Sequence, residues 1–170
     1  IYFLNAAKIS GVRTIHDDSF VQAMRRQPSG GTPLTRLLSE IVRDRERASV
    51  LDYSLRGKPV LLMIFTDGTP DGGSMLFGNA LRGVLRQETT DLRFRCQIMA
   101  CTGNDADVAW LNALDEQLPE LDVTDDYLTE KSQIGESFTR GDWCMKAMLG
   151  AVNSAYGDLD ENRKRKRRKT

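Results

Sequence analysis

Blocks of apolar residues along this chain alternate between the spacing of strands and the spacing of helices. Six consecutive apolar residues, VLLMIF (residues 60–65), are bounded by Pro59 and Gly68. This is the pattern of a strand buried on both faces of a parallel sheet. LRFRCQIMAC (residues 92–101) predicts a second strand ending at Thr102 and Gly103, and ELDVTDD (residues 120–126) holds a short extended piece. Leu34, Leu37, Leu38, Ile41 and Val42 recur at i, i+3, i+4, i+7 and i+8, the stripe of an amphipathic helix. Leu76, Phe77, Leu81, Val84 and Leu85 predict another helix after Gly72 and Gly73. Asn104 or Asp105 caps a further one that presents Val108, Leu111, Leu114 and Leu118. Near the start, residues 2–4 and GVRTI (residues 11–15) read as short strand pieces, and Asp17 or Asp18 begins a short helix carrying Phe20, Val21 and Met24. Residues 143–156 predict a last helix with Trp143, Met145, Met148 and Leu149 in its core. Strands alternating with helices imply an α/β fold: doubly wound, with a mostly parallel sheet and helices on both faces.

Composition adds a split in charge. The 170 residues are 40% hydrophobic and 28% charged, with zero formal net charge, which suits one domain with a sizeable core. Seven of the 24 basic residues lie in the run RKRKRRK (residues 163–169), leaving 17 against 24 acidic ones. Residues 1–160 are therefore expected to fold as a mildly acidic domain, and residues 161–170 to form a disordered basic tail that buries no apolar surface. That tail suits a nuclear import signal or weak, sequence-independent nucleic-acid contact, without an aromatic residue for base stacking. Cys96, Cys101 and Cys144 form no C-x-x-C pair, so buried free thiols are expected, in an intracellular, cytoplasmic or nuclear protein. No apolar run reaches the ~18 residues that a membrane-spanning helix needs. The chain opens without methionine on IYFL, in what reads as mid-strand, so an N-terminal truncation is expected.

Open α/β sheets bind ligands beyond the carboxyl ends of their strands. Two segments are predicted to meet there: Asp67 at the end of the 60–65 strand, and the loop PSGGTPL (residues 28–34), which delivers Thr32. A hydroxyl and a carboxylate beside backbone glycines are hard oxygen donors, suited to Mg²⁺, Mn²⁺ or Ca²⁺ rather than zinc. Plainer roles compete. Thr32 before Pro33 is a good helix cap, and Asp67 with Gly68 is a good turn.

GGTPL followed by an apolar strand ending TDGTP resembles a von Willebrand factor A-type (VWA) domain. The later stretches TGNDADVAWLNALDEQL, LDVTDDYLTE and FTRGDWCMKAMLGAV resemble uncharacterised fungal and protist proteins of that group. The resemblance implies a Rossmann-like fold and a metal-ion-dependent adhesion site (MIDAS). In that site Thr32 would ligate a divalent cation directly, Asp67 would do so directly or through water, and a partner protein's acidic group would complete the shell. It further implies a non-enzymatic interaction module. The family's D-x-S-x-S motif is absent here, and DDSFV (residues 17–21) does not replace it. The order of elements implies a chain starting near the family's second strand and lacking the first.

Enzyme chemistry has thinner support. FTDGT resembles part of the D-x-D-G-T of haloacid-dehalogenase-type phosphatases, but Phe65 occupies the nucleophile position, and a phenyl ring cannot attack phosphorus. His16 is the single histidine, which excludes H-E-x-x-H zinc sites within the chain. Neither a P-loop nor a dinucleotide-binding glycine motif occurs. The cluster Asp122, Asp125, Asp126 and Glu130 lacks the order of an EF-hand loop and is expected to cap a helix and face solvent. An intracellular scaffold with a vestigial metal site is the remaining alternative, beside the phosphatase-like hydrolase.

Overall fold

Three strands, β1 (Val60–Thr66), β2 (Phe94–Ala100) and β3 (Leu121–Asp125), pair in parallel in the order β1-β2-β3 in this computed structural model. The structure describes residues 1–27, 29–86, 92–102 and 104–157. The helices α1 (Asp18–Met24) and α2 (Leu34–Leu51) precede β1. A helix joins each strand to the next, α3 (Ser74–Leu85) and then α4 (Asp105–Asp115), as parallel pairing requires. The helices α5 (Tyr127–Ile134), α6 (Arg140–Leu149) and α7 (Ser154–Gly157) follow β3. The chain is thus a mixed α/β protein around a small parallel sheet. Among the described residues, no helix is long and apolar enough to cross a membrane. The basic run at residues 163–169, Pro28 and the Val108 side chain lie outside the described residues.

Side chains alternate between the two faces of a sheet, and the register assigns them. One face carries Leu62, Phe94, Cys96, Ile98, Leu121 and Val123, which join Leu34 and Leu38 of α2, Phe77 and Leu81 of α3, and Leu111 and Leu114 of α4 in the main core. The predicted stripes therefore hold for α2, α3 and α4, except that Leu76 faces solvent. The other face carries a polar group. Gln97 Nε2 donates to Asp122 Oδ2 (2.6 Å) and Thr124 Oγ1 (3.0 Å), and Gln97 Oε1 accepts from the Ala151 N–H (3.1 Å). All three side chains are buried, and Gly150 lies so close to the Asp122 carboxylate that a Cβ there would collide with it. Hydrogen bonding inside the group offsets the cost of removing it from water.

Four expectations need correction. The β1 strand, an outer strand of the described sheet, is buried on one face only, because among the described residues nothing covers Leu61, Met63 and Phe65 on the other. The expected N-terminal strand pieces reduce to one antiparallel bridge between Phe3 and Ala6; the segment lies on α2 instead, with the Tyr2 hydroxyl donating to Asp44 (2.8 Å). The expected last helix is two helices, and α6 buries Lys146 and Ala147 while Met145 and Met148 are exposed. Of the cysteines, Cys96 is a buried thiol, whereas Cys101 and Cys144 are exposed.

Lys146 is buried because Glu130 of α5 meets it. Their charged atoms are 2.7 Å apart, and the side chains are 3% and 4% exposed. Glu130 Oε1 also accepts from the Asp125 N–H (3.2 Å), tying this pair to the end of β3. Glu130 and Asp122 are thus interior groups, not members of a solvated acidic cluster.

Candidate functional site

The loop from residue 29 to Thr32 sets its two glycines against the side chains of Asn5 and Asp71. Gly30 has φ +90°, and a Cβ on it would sit 2.9 Å from the Asn5 side chain. A Cβ on Gly31 would sit 2.6 Å from Asp71 Oδ2. Between these walls the loop is clasped. Asn5 Nδ2 donates to the Gly31 carbonyl (2.6 Å), and the Thr32 N–H donates to Asp71 Oδ1 (2.8 Å). The Asp71 N–H donates back to the Thr32 carbonyl (2.9 Å). The α2 helix then begins behind Pro33 with no side-chain cap, so Thr32 is not the capping residue that its place before Pro33 allowed.

Asp71 belongs to the turn that follows β1, four residues beyond Asp67. The glycine loop and the turn that follows β1 therefore touch. The contacting acid, however, is Asp71, which the sequence reading did not single out. Residue type gave no signal for it: an aspartate before a glycine pair is expected to bond the backbone of its own turn, whereas Asp71 bonds Thr32, 39 residues away.

Asp67 is exposed at the end of β1. Its neighbour across the strand ends is Cys101, whose N–H donates to the Thr66 carbonyl (2.8 Å). The Cys101 thiol is raised above its usual range, first by shielding from water, then by the negative charge of Asp67, with a smaller contribution from Asp126. Asp126 caps α5, its Oδ1 accepting from the Leu128 (2.8 Å) and Thr129 (3.2 Å) N–H groups and its Oδ2 from the Thr129 hydroxyl (2.6 Å). These bonds, that of the Thr129 hydroxyl foremost, hold its carboxyl below the usual range. Between the strand ends and α6 lies an open cleft of about 400 Å³, lined by Phe65, Met99, Cys101, Thr102, Asp126 and Trp143. The Trp143 indole is fixed by donating to the Asp125 carbonyl (2.8 Å).

The proximity of Asp67 to Cys101 has a measurable consequence. In a Cys144→Ser background, Asp67→Asn removes a like charge from beside the thiolate, so alkylation of Cys101 at pH 8 should speed up about two- to threefold. An unchanged rate would place Asp67 away from Cys101.

Thr32 and Asp67 are both oxygen donors of the kind a hard cation takes. Their number falls short, since such ions take six or more oxygens. Among the described residues, no group of three or more His, Cys, Asp or Glu side chains is placed to hold a metal ion. The donor chemistry fits a divalent cation only if water or another molecule supplies the remaining oxygens. His16, in the N-terminal segment, is exposed. Comparison with protein-family models, with curated proteins and with solved structures returned no match.

Proposed function

We propose that this chain is a non-enzymatic protein-interaction module of VWA type, doubly wound, which engages a partner at the carboxyl edge of its sheet. Thr32 and Asp67 contribute two oxygens to a Mg²⁺ (or Mn²⁺ or Ca²⁺) ion there, and an acidic group of the partner protein completes the shell. The observation that supports this most is the two-bond clasp between Thr32 and Asp71, which ties the loop carrying the hydroxyl to the turn carrying Asp67. Phe65, exposed at the end of β1 in the place where a phosphatase would need its nucleophile, gives the hydrolase alternative no support. Exposed free thiols at Cys101 and Cys144 favour a reducing, intracellular location.

The test is Mn²⁺ binding followed by electron paramagnetic resonance. Asp67→Ala should abolish binding, and Thr32→Ala should weaken it by about tenfold, the loss of one ligand at ~1.4 kcal/mol. Equal binding by all three proteins removes Asp67 and Thr32 from any such role. No binding by the unsubstituted chain favours the scaffold with a vestigial site, which the lack of a third acidic ligand among the described residues also suits.

A further inference from the structure

The loop that carries Thr32 is built from residues poorly able to hold a position unaided. Gly30 and Gly31 precede it, and glycine loses more conformational freedom on ordering than any other residue. A hydroxyl on such a loop, if ordered only when its ligand arrives, binds that ligand more weakly. Here the ordering is supplied in advance. The Thr32 N–H donates to Asp71 Oδ1 (2.8 Å), and the Asp71 N–H returns a bond to the Thr32 carbonyl (2.9 Å). Asn5 Nδ2 holds the preceding carbonyl, that of Gly31 (2.6 Å). Asp71 itself stands on a firm base. The Thr66 hydroxyl donates to the Gly68 carbonyl (3.3 Å), Pro70 is buried, and the Gly73 N–H closes the turn onto the Pro70 carbonyl (2.9 Å).

We propose that Asp71 is the positioning residue of the cation site: it fixes Thr32 before the ion binds, and it does so through its acceptor oxygen rather than through its charge. This rests on the assignment of a cation to Thr32 and Asp67, and adds the residue that sets the site's affinity from outside the ligand shell. Preorganised ligands bind more tightly because the cost of ordering them has already been met in folding. Gly31 gives a second handle on the same contact. It is not among the glycines with positive φ, so alanine can adopt its backbone. A Cβ there, however, would lie 2.6 Å from Asp71 Oδ2 and 2.7 Å from Oδ1. Gly31→Ala therefore pushes the carboxylate off the loop while both Thr32 and Asp71 stay in the chain.

Two measurements on the whole chain test this. Without metal, the water-exchange rate of the Thr32 amide, read by ¹⁵N NMR, should rise about fivefold in Asp71→Ala and in Gly31→Ala, the loss of one hydrogen bond. With Mn²⁺ and electron paramagnetic resonance, the same two variants should each bind about fivefold more weakly. Asp71→Asn, whose amide oxygen still accepts, should recover most of both effects. The double variant Gly31→Ala/Asp71→Ala should bind no more weakly than either single one, because both break one contact. Asp71→Ala that binds Mn²⁺ as the unsubstituted chain does, or leaves the Thr32 amide unchanged, overturns the proposal and spares the cation assignment. Asp71→Asn as weak as Asp71→Ala also overturns it, by making charge the source of the effect. Additive losses in the double variant do the same. No Mn²⁺ binding by the unsubstituted chain overturns the cation assignment, and this proposal with it.

Discussion

Lys146→Met is expected to destabilise the folded chain by about 3–5 kcal/mol, because it leaves the Glu130 carboxylate buried without its cation. The two charges meet at 2.7 Å with both side chains almost fully removed from water. An ion pair in this setting adds little net stability over an apolar pair, since desolvation of both charges offsets their attraction. Removing one member is different: the remaining charge keeps its desolvation penalty and loses its counter-charge, with the Asp125 N–H still bonded to it. The double variant Lys146→Met/Glu130→Leu should therefore recover most of the loss. Urea unfolding of the two single variants and the double checks this. A single-variant cost below about 1 kcal/mol, the range of exposed pairs, would mean that Lys146 reaches solvent and that α6 is not seated on α5 as described.

Phe77→Ala should cost about 3–5 kcal/mol, the range for emptying a buried aromatic site. Phe77 is fully buried in the main core and meets Trp110 edge to face, with ring centroids 5.9 Å apart and planes at 87°. It links α3 to α4 over the β2 face, so its truncation leaves a cavity between two helices that are both anchored to strands and cannot close freely. Met148→Ala, on the exposed side of α6, should stay within about 0.5 kcal/mol, as surface substitutions do. Comparable losses at the two positions would contradict the assignment of inside and outside on these helices.

The main core was legible in sequence because its helices obey simple periodicity. Leu34, Leu37 and Leu38, then Leu111, Leu114 and Leu118, fall where a helical stripe puts them, and all are buried. The face of α6 was not legible. Hydrophobicity alone favours Met145 and Met148 as core, yet the buried side carries Lys146, because Glu130 on another helix satisfies it. Asp122 was misread for the same reason: its partner Gln97 lies on a neighbouring strand, 25 residues away. Composition placed residues 60–65 in a strand, but whether that strand is central or at an edge depends on how many neighbours it has. In the candidate site, the rule for strand ends pointed to the glycine loop and the turn after β1. The choice of Asp71 as the clasp between them did not follow from it, since it depends on the path of the turn rather than on residue type.

At the centre of the account is the proposal that Thr32 and Asp67 share one cation-binding rim. Titration of ¹⁵N-labelled chain with substoichiometric Mn²⁺ tests this most directly, because paramagnetic broadening reports the ion's position even when binding is weak. The amides of residues 31–32, 67–68 and 101–102 should broaden first and together, and Asp67→Ala should abolish the effect. Broadening centred on another acidic segment, or spread evenly over the surface, would contradict it.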